Sequence, residues 1–434
     1  MNPGTVETLV AIAAELPPPF ALLEDGRGVG TCALAWGATD RLRVEWSEAA
    51  VGSLDRFAWG RDYVGCAAYD LGLPPKAVRR APPLAQPLVD LFRPAHRIIL
   101  RPGRAPEFSG GEARERWAAA LRSVGRGDAS CCGLGVLASA RPHGRRSPAA
   151  ARRTAPVGRN AAAELSFDQA GFEATVRRAL EYIRAGDIYQ INLSVAQRVL
   201  LDEPPLAVYR RLRAINPSPW MAYADFGDWQ LLCGSPELLV EVQGGRARAK
   251  PIAGTRKKTG DPATDAAMRR ELRSDAKERA EHVMLVDLAR NDLGRIAEYG
   301  TVEVAELGAV EEYSHVMHLV SDVRARPAAG VGPDDVFRAL FPGGTVTGTP
   351  KVRAMEIIAE LEPVARGMYT GAFGWTGVDA AQWNILIRSA VVRGGEAVVQ
   401  AGAGIVADSD PAREWKESLR KAEALRLAFG LGHG

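Results

Sequence analysis

The stretch SFDQAGFEATVRRALEYIRAGDIYQINLSVAQ, residues 166–197, changes its period half-way. Up to Gly186 the apolar residues Phe172, Val176, Ala179, Leu180 and Ile183 recur at helical spacing, with Ser166 or Asp168 able to cap the start and Gly186 the end. Beyond Gly186 the chain alternates. Tyr189, Ile191, Leu193 and Val195 share one face, and Gln190, Asn192, Ser194 and Ala196 the other. That second face is polar without charge, as in a wall of a wet pocket or the half-exposed side of an ordinary strand. A capped helix thus feeds directly into a strand.

The same mixture runs on to the C-terminus. Strand-like runs at WQLLCGSPELLVEV (229–242) and ARAKPIAG (247–254) precede a helical zone over 262–293. A strand pair follows across 301–325, then a glycine-rich loop and helix within 342–361, strands at 371–377, 383–392 and 397–406, and a helix over 410–428. Before the opening stretch, GTCALAWG (30–37), RLRVEWS (41–47) and RPAHRIIL (93–100) read as short strands. Runs of strands with helices inserted between them define an α+β chain. From about 103 to 165 the composition shifts to Arg, Ala, Gly and Ser, and 138–160 reads as a linker. The division expected is an N-terminal subdomain, 1–160, and a main domain, 161–434.

The balance of charge, 55 basic against 52 acidic side chains in 434 residues, gives no reason to expect nucleic acid or a membrane surface as partner. There is no 18-residue apolar run and no basic leader. The five cysteines, Cys32, Cys66, Cys131, Cys132 and Cys233, form no CxxC pair, which suggests a reducing cytoplasm and no structural zinc.

Several clusters could carry chemistry. Glu278 and Glu281 lie three apart on one helical face, and Glu414, Glu417 and Lys421 repeat the device in the closing helix, behind Ser409 or Asp410 and Pro411. Two such pairs offer oxygen ligands and no soft donor, suited to Mg²⁺ rather than zinc, although a single ExxE is usually a solvated face. FPGGTVTGTPKVRAMEIIAELEP, residues 341–363, sets Gly343, Gly344 and Gly348 before a helix, either an anion cradle or a structural turn. Gly402 and Gly404 offer a second backbone surface to an oxyanion. Arg388, within the apolar WNILIRSA, is either a carboxylate clamp or a side chain that snorkels outward. KPIAGTRKK, residues 250–258, could be a lysine-driven loop, an anion cradle or a basic turn. His282, His315 and His318 lack the spacing of a metal site and read as structural. Together these groups describe a site for a small polycarboxylate.

The motifs GDIYQINLS, GSPELLV, KPIAGTRKK, SDAKERAEHVMLVDLARNDLGR, YSHVMHLVS, FPGGTVTGTPKVRAMEIIAELEP, RGMYTGAFGW, NILIRS and AGAGIVADSDPAREWKESLRKA resemble, in order over roughly 165–430, the chorismate-utilising enzymes. The resemblance implies an α+β fold with a large two-layer β-sandwich core flanked by helices. It implies Mg²⁺ held by Glu278, Glu281, Glu414 and Glu417, and substrate carboxylates held by Tyr369, Arg388, Gly404 and Lys421. Gly402, Thr345 and Thr255 join the substrate-side groups, Glu237 matches the general acid that protonates the departing 4-hydroxyl, and His318 lies near the ring.

Family members that add water carry a lysine at the position of Gln190. The amide here implies ammonia as nucleophile, and with it a glutamine amidotransferase partner. Ala253 stands where aminodeoxychorismate-forming members typically place a lysine nucleophile in PIKGT, and PIAGT is the form of the anthranilate branch. YQINLS, FPGG and LLED (22–25) vote for the aminodeoxychorismate branch, in a subclass without the covalent lysine. NPSPW, 216–220, keeps part of a tryptophan-pocket pattern. The expectation is amination of chorismate to aminodeoxychorismate, with anthranilate formation as the alternative and a non-catalytic chorismate-binding protein as a distant one.

Overall fold

The computed structural model describes residues 3–25, 31–52, 54, 62–74, 76–125, 164–312 and 316–432. Most of the 103–165 segment, Cys131, Cys132 and His315 lie outside them. The opening stretch folds as read. Asp168 caps the helix Gln169–Arg184 through the Gly171 N–H, and Phe172, Val176, Ala179 and Leu180 are its buried residues. The strand Gln190–Leu200 follows. Both of its faces are buried from Gln190 to Gln197, so the polar face is an interior wall rather than a half-exposed surface.

The described strands join through antiparallel pairings into one continuous path, the large sandwich of the α+β fold. One layer runs from Gln190–Leu200 through Glu396–Ile405, Ser389–Arg393, Gln230–Ser235 and Trp220–Asp225 to Phe20–Glu24. The other runs from Tyr63–Ala67 through Ala372–Thr376, Ala381–Ile385 and Leu238–Gln243 to the strands around Val316–Ala325. The two 14-residue strands Cys32–Glu45 and Pro87–Leu100 link them. Their register shifts between Ala38 and Asp40, and beyond that bulge the second strand also pairs with Tyr63–Ala67. Strands from both sides of the boundary expected near residue 160 therefore pair with each other.

Alternation assigns the two faces of the first layer. Leu231, Cys233, Val391 and Val398 enter the cluster between the layers, where Val240, Phe373, Trp383 and Ile385 meet them. Their neighbours Leu232, Val392 and Val399 belong to a second cluster with Leu9 of the helix Pro3–Ala13, Leu212 of Pro205–Ile215 and Leu425 of Pro411–Ala428. With both faces covered, these strands read as near-continuous apolar runs. Cys32, Cys66 and Cys233 are buried free thiols within these clusters. No helix of the described residues is long and apolar enough to cross a membrane.

Among the boundaries that differ from the sequence reading, two bear on the site. The helical zone over 262–293 is two helices, Pro262–Ser274 and Ala276–Gly294, because the Asp275 carboxylate caps the second through the Lys277 and Glu278 N–H groups. The strand expected over 383–392 is also two, Ala381–Ile385 and Ser389–Arg393, lying in different layers. Arg388 sits in the crossover with φ +50°, not within a strand.

Candidate active site

The polar wall of Gln190–Leu200 sets the site. Gln190 donates from Nε2 to Glu281 Oε1 at 3.0 Å, joining that strand to the helix Ala276–Gly294. Gly404 lies beside this contact, and a Cβ there would stand 2.9 Å from Gln190 Nε2. Gly402, one alternation further, faces Asn192 in the same way. Gly404 thereby keeps the strand wall open to Glu281.

On the same helix Glu278 accepts from Arg256 at 3.0 Å. Gly254 packs against it with φ +61°, and a Cβ at that position would lie 2.9 Å from Glu278 Oε2. This explains the glycine in KPIAGTRKK: the turn must approach the helix closely in a left-handed conformation. A bulge between Ala253 and Thr255 then aims Thr255 Oγ1 at His318 Nδ1, 3.1 Å away, and the Gly254 carbonyl is 3.1 Å from the same nitrogen. Burial, and the Arg388 charge after it, push His318 down to about 4, so the ring is neutral. Ala253 is buried and offers no nucleophile. The charges of the motif are spoken for in part: Lys250 pairs with Glu311 and Lys258 with Glu312.

Glu237 follows the strand Gln230–Ser235 and is buried. It accepts from Thr345 Oγ1 at 2.6 Å. Burial pushes its carboxyl up to about 7, against the opposing pull of the Thr345 hydrogen bond and the Lys421 charge. Thr345 reaches it because Gly343 and Gly344 let their turn pack tightly on Ile385 and Leu288. The glycine-rich loop is thus a close-packing device that delivers a hydroxyl, not a bare anion cradle. A narrow cavity opens beside Glu237 and Thr345, lined also by Lys250, Leu288 and Gly344.

Lys421 pairs with Glu417 at 2.9 Å in the closing helix, and its charge also bears on Glu237, Glu281 and Glu414. Burial, then the neighbouring Glu278 charge, raise Glu281; burial, and after it the Glu417 charge, raise Glu414. Burial pushes Glu417 up as well, but Lys421, and after it Arg420 and Lys277, together hold that carboxyl below its usual range. Among the described residues no three His, Cys, Asp or Glu side chains converge into a metal-holding group. The donor chemistry nevertheless suits a hard cation. Two of the carboxylates carry raised proton affinities in like-charged pairs, a cost that a divalent ion would relieve.

Arg388 hydrogen-bonds Asn216 Oδ1 at 3.2 Å, and among the described residues no carboxylate pairs with it. Burial lowers its proton affinity. The guanidinium is thus held in the interior by a neutral amide, on a residue whose backbone lies in the left-handed region. Tyr369 is buried, its ring centroid 5.6 Å from the Arg366 guanidinium. His282, bonded to Ser321 Oγ at 2.6 Å and pushed by burial down to about 4, has the structural role expected of it. Sequence reading passed over Arg366 and Glu362, and met Asn216 only as part of NPSPW; only the polar character of buried positions near known motifs could have flagged their contacts.

The site thus combines a buried carboxyl of raised proton affinity, within reach of the Lys421 charge, with the buried guanidinium of Arg388. The sequence matches the model of the family described as chorismate binding enzyme over residues 30–426, and the chain belongs to that family. It is 51% identical over 266 residues to aminodeoxychorismate synthase component 1 of Bacillus subtilis, covering 61% of this chain and 57% of that protein. It is 53% identical over 265 residues to anthranilate synthase component 1 of Streptomyces coelicolor, covering 61% and 52%. The chain thus spans about half the length of the curated relatives it matches. Anthranilate synthase component I of Streptococcus pneumoniae superimposes with a TM-score of 0.71 at 28% identity, over 94% of this chain and 92% of that one. The menaquinone-specific isochorismate synthase of Escherichia coli shares the fold, with a TM-score of 0.71 at 22% identity over 97% and 91%.

Proposed function

We propose that the chain is an aminodeoxychorismate synthase component 1, aminating chorismate with ammonia from a glutamine amidotransferase subunit. The observation that carries the reading is Glu237, buried, raised to about 7 and held by Thr345, so that a protonated carboxyl is present near neutral pH. Ammonia forms a bond to C2 as the C4–O bond breaks, and Glu237 gives its proton to the leaving hydroxyl, which departs as water. Gln190 is an amide committed to Glu281 and cannot act as the base that water would need. A second ammonia adds at C4 as the C2 amine leaves, giving 4-amino-4-deoxychorismate. Ala253 leaves no side chain for a covalent adduct, so the C2 amine is itself the intermediate.

Arg388, Lys421 and Tyr369, with the backbone at Gly402 and Gly404, are proposed to hold the substrate carboxylates, and His318 and Thr255 to line the ring. Mg²⁺ would be held by Glu278, Glu281, Glu414 and Glu417. When bound, it would neutralise the ring carboxylate and the glutamates together. Residues 216–220 support tryptophan as a further ligand, although Glu24 of the LLED motif is already committed to Arg213 and Tyr209. The setting of such a biosynthetic enzyme is the cytoplasm.

The second reading, anthranilate synthase, is favoured by Ala253 and by the Streptomyces coelicolor relative. It differs in the last step, loss of pyruvate. Incubating the chain with chorismate, Mg²⁺ and ammonium and resolving the products by mass and fluorescence separates the two. Aminodeoxychorismate is expected, and fluorescent anthranilate accumulating alone would transfer the chain to the other branch.

A further inference from the structure

Arg366 has no part in the proposed reaction, yet its guanidinium is fully engaged in the interior. Its side chain is 1% exposed and its partner Glu362 3%. Nε donates to Glu362 Oε2 at 3.0 Å and Nη2 to Glu362 Oε1 at 2.8 Å. Nη2 also reaches the Asn192 carbonyl at 2.7 Å, while Nη1 donates to the Val346 carbonyl at 2.8 Å and to Thr370 Oγ1 at 3.2 Å. All five N–H donors of the fork are used. Glu362 in turn accepts from the backbone N–H and hydroxyl of Ser194, at 2.9 and 2.8 Å.

The contacts to Asn192, Val346 and Thr370 each fall within two residues of a proposed site residue. Asn192 and Ser194 continue the strand face that begins with Gln190. Val346 follows Thr345, which holds Glu237. Thr370, with φ +57°, follows Tyr369. We propose that Arg366 is a positioning residue for the reaction: it locks the segments carrying Gln190, Thr345 and Tyr369 into one frame and, through Thr345, fixes the Glu237 carboxyl. A packed apolar side chain would fill the same volume without tying three segments together. The planar five-donor fork is what the place requires.

The inference rests on the proposed role of Glu237 only for its consequence in turnover, and its test begins without substrate. Glu237 is titrated by NMR of the chain labelled with ¹³C in its glutamate carboxyls, the signal being assigned with Glu237→Gln. Lys421 is the charged group acting on this carboxyl, and it is left unchanged. The Thr345 hydrogen bond holds the midpoint below where burial alone would put it. Arg366→Lys keeps the charge and the pairing with Glu362 but cannot span the other contacts. It is expected to raise the midpoint by about half a pH unit or more, in the direction of Thr345→Val, and to lower kcat about tenfold or more. Thr370→Val, which frees one donor and spares the ion pair, is the milder arm and is expected to raise the chorismate KM about threefold through Tyr369.

An Arg366→Lys chain that folds with wild-type Glu237 titration and kcat overturns the inference. If that variant does not fold, a wild-type KM in Thr370→Val overturns it, and a raised KM sustains it. A wild-type chain that fails to convert chorismate overturns the proposed function instead, and leaves the positioning role to be judged by the titration.

Discussion

Glu237 carries the sharpest physical signature in the molecule. Its folded pKa, about 7, stands above the unfolded value of 4.5, so the native state keeps its proton longer than the unfolded chain does. The stability this gives is complete below pH 4.5 and is lost as pH rises through about 7, a swing of about 3 kcal/mol at 1.36 kcal/mol per pH unit. Glu237→Gln never ionises, so denaturant unfolding should find it gaining about that much on the wild type between pH 4.5 and 8. The same substitution should lower turnover on the order of 10²-fold or more and leave chorismate binding nearly unchanged. Parallel stability profiles, or near-normal turnover, would remove Glu237 from its role. GSPELLV pointed to Glu237 only through resemblance. Its burial and its bond to Thr345 were not legible there, because they depend on a loop that follows more than a hundred residues later.

The two acidic helices show what periodicity reads well and what it misses. The i, i+3 spacing put Glu278 with Glu281 and Glu414 with Glu417 on single faces, and Asp410 and Pro411 marked the start of the closing helix correctly. The pairing of Glu278 with Arg256 and the approach of Gly254 were invisible, since a strand and a helix meet there through a positive-φ turn. Arg388 was misassigned to a strand for a related reason: an unbroken apolar run conceals a change of layer. If the four glutamates hold Mg²⁺, thermal-shift titration with Mg²⁺ alone should stabilise the wild type, and Glu281→Ala should weaken that response about tenfold or more. The raised proton affinities of Glu281 and Glu414 add a sign: protons compete for these carboxylates, so Mg²⁺ should bind more weakly as pH falls. An identical titration in the variant would take Glu281 out of the metal site.

The molecule as a whole is a covered sandwich whose two layers are stitched together by the long strands Cys32–Glu45 and Pro87–Leu100. The α+β class and the order of elements after residue 165 were readable because each element's period was strong. The weave of the N-terminal strands into both layers was not, since pairing partners such as Phe20–Glu24 and Trp220–Asp225 lie some two hundred residues apart. Arg388, at a crossover between the layers, lies within electrostatic reach of His318. The proposed reaction adds ammonia, and not water, to chorismate. The intact chain should therefore be given chorismate and Mg²⁺ with and without ¹⁵N-labelled ammonium, no glutamine being present, and the products weighed. The expected result is chorismate consumption that depends on ammonium, with label in the product; consumption at the same rate without ammonium, giving an unlabelled hydroxylated isomer, would contradict it.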